Sequence, residues 1–168
     1  MYYPIFRQMR KTLAQIDTWF DKATDYAKSR SFDPNVLVGM RLAPDQFPLV
    51  RQVQIACDTV KLGASRLTGK EAPTHEDNEK TIDELRARIK SATRFLDGLT
   101  EKDFDNAATR AVTLPRWEGK IMTGHDYFLE HVVPNFFFHA SHTYAILRHN
   151  GVPLGKSDYL GPLTQRKP

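Results

Sequence analysis

The sequence predicts an all-α protein: an up-and-down antiparallel four-helix bundle of one domain, residues 1–168, with a short extra helix and an irregular or small hairpin insertion before the last helix. Three observations predict it. Apolar residues recur at three- and four-residue steps in four long stretches, as they do on helices with one buried face. Capping residues and glycines stand at the ends of those stretches. The connections are of moderate length, so antiparallel packing is the simplest closed arrangement.

The elements follow in chain order. Pro4 suits a first helical turn, and Ile5, Met9, Leu13, Ile16, Phe20 and Ala23 make one apolar face of a helix running to about Lys28. Asp33-Pro34 is a cap followed by a helix-starting proline, which predicts a short helix through about Met40. The second long helix is expected from about Phe47 to Thr68, with the stripe Val50, Val53, Cys57, Val60, Ala64, Leu67 and a stop at Gly69. Ala72 to Asn78 reads as a loop. Thr81 and Glu84 form a capping-box pattern ahead of Ile82, Leu85, Ile89, Ala92, Phe95 and Leu96, and Gly98 ends that helix. Residues 111–114 and 120–123 flank Pro115 to Gly119, as either a small hairpin or an extended loop. Residues 125–150 are apolar nearly all round, which predicts the most buried helix, with Pro134 either kinking it or opening a new segment. The tail from Val152, with Pro153, Gly155, Gly161 and Pro162, is expected to be non-helical.

Composition narrows the class. The 168 residues are 40% hydrophobic and 26% charged, which excludes a disordered, collagen-like or low-complexity chain. The lone Cys57 makes no internal disulfide, nothing in the first ten residues resembles a signal peptide, and no apolar run approaches a membrane span. A cytoplasmic protein is expected, with no membrane partner. The net charge of +4 is mildly basic, but Lys and Arg alternate with acids, as in residues 83–90, so a nucleic-acid partner is not expected.

The chemistry-bearing residues gather late in the chain. His131, His139, His142 and His149 lie in the last helix and His125 at its start. His131 and His139 stand about 12 Å apart along the axis and cannot share one ion. Asn135 and His139, four apart, share a face, and His139 and His142, three apart, could do so. On the second helix Gln54 and Asp58 border the apolar stripe, and buried amides or carboxylates need partners, which Asn135 and His139 on a facing helix would supply. Gln54, Asp58, Asn135, His139 and His142 are therefore the candidates for a ligand pocket in the core, against the alternative of a satisfied structural cluster. No HExxH, GxSxG, P-loop or GxGxxG pattern occurs, and Cys57 within an apolar stripe reads as an inert thiol.

The run from His139 through Thr143, Arg148 and Gly151 to Val152 resembles the last-helix signature of the DinB/YfiT-like superfamily. The blocks Arg41 to Asp45, Phe47 to Leu49, Gln52 to Asp58, Arg66 to Gly69, Pro134 to His139 and Gly155 to Gly161 resemble, in order, one branch of it, a domain-of-unknown-function family. The resemblance implies a four-helix bundle, often dimeric, and in some members a three-histidine zinc or nickel site used in thiol transfer or in maleylpyruvate isomerisation. Carried over, the second-helix ligand position falls on Gln54 and the two last-helix positions on Asn135 and His139. Only one of the three is histidine, and amides are weak zinc ligands. The leading expectation is a core pocket without that metal site, binding a small molecule, with catalysis left open. The alternatives are a metal-dependent thiol transferase or hydrolase, with His139 and either Asp58 or His142 on a divalent ion, and a structural homodimer. A homodimer is expected in any case.

Overall fold

Pro4 sits in the first turn of α1 (Tyr2–Ser29), where a missing N–H costs nothing. The computed structural model describes residues 1–167. α2 (Leu49–Thr68) ends at Gly69, whose φ of +80° is a left-handed cap that a side chain would strain. α3 (Ile82–Asp97) begins with the expected capping box: Thr81 accepts from the Glu84 backbone N–H at 3.2 Å, and Glu84 accepts from the Thr81 N–H at 2.9 Å. The short extra helix is a 3-10 helix (Pro34–Gly39), whose Asp33 cap accepts from the Asn35 N–H.

The protein is mostly helical, with one small sheet. β1 (Ala111–Val112) and β2 (Met122–Thr123) pair antiparallel, with Ala111 opposite Thr123 and Val112 opposite Met122. The insertion before the last helix thus contains a hairpin. It is shorter than the two apolar runs, because Pro115 opens a 3-10 turn (Pro115–Trp117) and Glu118 and Gly119 both take positive φ.

The last long helix runs from α4 (Gly124–Asp126) through a π-helical stretch (Tyr127–Val132) into α5 (Val133–His149). Pro134 opens a new segment of it, in the first turn of α5, with helical backbone continuing on both sides. Proline offers no N–H, and its ring clashes with the carbonyl four residues back. The wider π turn opens the backbone just where that clash would fall.

Two expectations change. The tail is not wholly irregular: α6 (Lys156–Leu160) forms a short helix whose Asp158 accepts from the Gly155 N–H, and its Asp158 carbonyl accepts from the Trp19 indole. Polar capping at Gly155 and a docking site on α1 outweigh the local glycine and proline content. On α1, Phe6 and Trp19 join the buried face while Ile5 is only half-buried, since a 28-residue helix lets the apolar stripe drift round the axis.

The helices share one hydrophobic core. α2 packs most extensively on α5 and also on α3, and α1 packs on α3 and α5. Trp19, Phe20, Phe128 and Phe136 are fully buried in it. Gly63 of α2 permits the close approach, because a Cβ there would lie 3.0 Å from both methyls of Val132. No helix among the described residues is long and apolar enough to cross a membrane.

Candidate functional site

α2 carries polar residues on two sides of its apolar stripe, and the helical period sends them to different neighbours. Gln52 and Thr59 turn toward α5 and Gly63 toward the π stretch before it, while Gln54, Asp58 and Lys61 turn toward α3 and the loop before it. Residues 52 and 54 are only two apart but roughly 200° apart round the axis.

On the α3 side the charges are paired. Arg88, 2% exposed, bonds Asp58 at 2.7 Å, Asp77 at 2.7 Å and Glu79 at 2.9 Å. Lys61, 3% exposed, reaches Asp58 at 3.1 Å, the Pro73 carbonyl at 2.7 Å and His75 Nδ1 at 2.8 Å. His75 Nε2 lies 3.0 Å from the Ser91 hydroxyl. Gln54 belongs here: its amide donates to Glu79 at 2.8 Å and its carbonyl accepts from Arg51 at 3.0 Å. Burial alone would raise the Asp77 and Glu79 carboxyls. Hydrogen bonds to Asp77 from Arg51 and Arg88, and to Glu79 from Arg88 and Gln54, outweigh it and hold both below the ordinary range. Burial, then the Lys61 charge, holds His75 below the usual histidine range. The network ties the loop from Pro73 to Glu79 onto α2 and α3.

On the α5 side lies a cavity of about 450 Å³. Its walls include Ile55, Leu62 and Leu114, and its polar lining comes from Arg51, Asp58, Thr59, Arg66, Arg116, Tyr127, His131, Asn135 and His139. The last four stand four residues apart along the final helix. Four residues of an α-helix overshoot a full turn by about 40°, and a π turn undershoots it. The π stretch therefore cancels the drift and keeps Tyr127, His131, Asn135 and His139 along one side.

Hydrogen bonding decides the protonation pattern. The Gln52 amide nitrogen donates to the Phe47 carbonyl at 3.0 Å, so its oxygen must accept. That oxygen lies 2.7 Å from His139 Nδ1, which therefore carries the proton and leaves Nε2 as an acceptor. Burial, then the His142 and Arg51 charges, pushes the His139 pKa down to about 4, so the ring is neutral at pH 7. Arg116 donates to His131 Nε2 at 2.5 Å, which places the His131 proton on Nδ1. Arg66 donates to the Tyr127 hydroxyl at 3.0 Å, and Asn135 donates to the Thr59 hydroxyl at 2.6 Å. Burial raises the Tyr127 phenol, and burial with the Arg116 and Arg66 charges lowers His131.

Of the five sequence candidates, the cavity brings together Asp58, Asn135 and His139. Gln54 is not among them. Gln54, onto which the resemblance carried the second-helix position, bonds Glu79 and Arg51 instead of Asn135 or His139, and the amide that meets His139 is Gln52. His142 points elsewhere: its Nδ1 donates to the Phe138 carbonyl and its ring packs on Phe138 at 4.0 Å. Gln52, Thr59, Arg51, Arg66, Arg116, Tyr127 and His131 were missed. The seven-residue spacing of Gln52, Thr59 and Arg66, and the four-residue spacing of Tyr127, His131, Asn135 and His139, were the available signals. Arg116 had none, because the insertion carries it to the cavity. Cys57 is buried, and burial pushes its thiol up to about 12, which makes it inert. Among the described residues no three His, Cys, Asp or Glu side chains are grouped so as to hold a metal ion.

Known proteins place the chain. Residues 1–160 match the family described as domain of unknown function DUF1993, and the chain belongs to that family. It is also similar to the crystal structure of a DinB family member protein from Shewanella denitrificans, at 50% identity and a TM-score of 0.93, over 97% of this chain and 93% of that one. A search of curated proteins finds no match.

Proposed function

We propose that this DUF1993 family member is a small-molecule-binding protein whose ligand occupies the cavity between α2 and the last helix, and that it works without a three-histidine metal centre. The observation that carries this reading is convergence. Arg51, Arg66, Arg116, Asn135 and a neutral His139 all line one cavity of about 450 Å³, the size of small-molecule sites, with a mainly polar lining and a smaller apolar patch at Ile55, Leu62 and Leu114. The arrangement behind it is read as an up-and-down antiparallel bundle in one domain, supported by the neighbours of α2 and by the shared core.

The donor set argues against a transition metal. At His139 the nearest partners are amides and a hydroxyl, which are weak ligands for zinc. Asp58 Oδ1 is shared between Arg88 and Lys61, and His142 Nδ1 is spent on a backbone carbonyl. Among the described residues neither alternative third ligand is grouped with His139 so as to complete a shell. Metal analysis of protein purified without an affinity tag tests this. Zinc and nickel well below one per chain are expected. A stoichiometric ion that is lost in His139→Ala would overturn the metal-free reading.

A homodimer is the second reading. Phe47 and Phe138, 54% and 53% exposed, line the same apolar groove outside the cavity, and a second copy would cover them. Sedimentation at micromolar concentration is expected to give a dimer that Phe138→Lys weakens; a monomer at that concentration would remove this reading. A cytoplasmic setting fits the single buried thiol.

A further inference from the structure

The cavity's charge is lopsided. Three guanidiniums line it and one carboxylate, Asp58, which is already bound to Arg88 and Lys61. Arg51 is ion-paired to Asp77 at 2.5 Å. Arg66 and Arg116 have only neutral partners, the Tyr127 hydroxyl and the His131 ring, and among the described residues neither is paired with a carboxylate. A guanidinium with no carboxylate partner attracts an anion, and its planar fork fits a carboxylate with two parallel hydrogen bonds.

Two features favour an anion over a neutral guest. Tyr127 and His131 hold the two arginines at the cavity without neutralising them. His131 and His139 are both held below the usual histidine range, so they stay neutral and, among the described residues that line the cavity, leave the arginines as the cations. The walls also say something about the rest of the guest. Ile55, Leu62 and Leu114 offer apolar surface, and Asn135 and His139 are shared with the neighbouring groove that holds Phe47 and Phe138.

We infer that the ligand is a small organic carboxylate with an apolar body: its carboxylate is bound by Arg66 and Arg116, and its body lies along Ile55, Leu62 and Leu114. This inference rests on the small-molecule reading above and adds the charge and shape of the guest.

The test is titration of the full chain with three acid–amide pairs: acetate and acetamide, hexanoate and hexanamide, benzoate and benzamide. Binding is read by calorimetry and by amide chemical shifts of residues near the cavity. Hexanoate or benzoate is expected to bind at least about tenfold tighter than its amide and than acetate. Arg116→Gln and Arg66→Gln are each expected to weaken it by about tenfold, whereas Arg148→Gln, an exposed arginine on α5 outside the cavity, leaves it unchanged. Circular dichroism of each variant checks that it is folded. Equal binding of acid and amide at the cavity would overturn the anion inference while leaving the small-molecule reading standing. Acetate binding as tightly as hexanoate and benzoate would remove the apolar body. Loss of affinity in Arg148→Gln equal to that in Arg116→Gln would show attraction by net charge only, and would also overturn it. Binding of neither acids nor amides would count against both readings.

Discussion

Two polar clusters stand on either side of α2, and they are built to different ends. On the α3 side, Arg88 and Lys61 meet Asp58, Asp77, Glu79 and His75, and the charges satisfy one another in a nearly closed network. On the α5 side, Arg66 and Arg116 meet only neutral groups and border an open cavity. A paired buried charge has little left to offer a ligand, and its removal strands its partners. A cation backed by neutral groups keeps its charge available. The first cluster is read as holding a loop to the helices, and the second as a place for a guest.

The sharpest way to break that contrast is Arg88→Met. It leaves Asp58, Asp77 and Glu79 facing one another without their common partner, and a loss of about 3–5 kcal/mol is expected in urea unfolding. A loss under about 1 kcal/mol would show that the network is not structural.

Acid comes next. His139 has its folded pKa depressed to about 4 from 6.5, so the unfolded chain takes up its proton first as pH falls. Its contribution is complete above about pH 6.5 and is lost between there and pH 4, by at most about 3 kcal/mol. His75 and His131 shift the same way and add to the same limb. Asp77 and Glu79 are also depressed, so their contribution is lost only at lower pH, as their own folded pKa values are passed. Urea midpoints from pH 7.5 to 3 should therefore fall in two stages, and His139→Gln should flatten the upper one. An unchanged upper stage in that variant would contradict the neutral, buried His139.

A smaller effect tests how closely α2 packs on the π stretch. Gly63→Ala places a methyl 3.0 Å from Val132 and forces α2 away from the π stretch, for a cost of about 1–2 kcal/mol. The Asn135 and His139 side-chain resonances should shift with it. The smallest effect on stability belongs to Arg116→Gln. This residue is exposed, and less than about 0.5 kcal/mol is expected although ligand affinity falls. A stability loss matching that of Arg88→Met would erase the distinction between the clusters.

Much of the fold was legible in the residues. The Thr81–Glu84 box, the Gly69 stop, the Asp33-Pro34 start and four apolar stripes are local features, and each reappears where its chemistry requires. The candidate site was half legible. Asn135 and His139 lie on one helix face, so spacing found them, whereas Gln54 was assigned to the wrong neighbour. Telling residue 52 from residue 54 needs the rotation of α2 relative to α5 and α3, which no spacing within α2 contains.

The sequence by itself determined the helices and their ends, because propensity and capping act within a few residues. Only the tertiary structure decided which polar face of α2 meets which neighbour. It also set a π stretch ahead of Pro134, which lines up four side chains, and it carried Arg116 to the cavity from the insertion. These outcomes depend on long-range packing, in which burying one apolar core sets every helix rotation at once and the polar residues take whichever partners that leaves them.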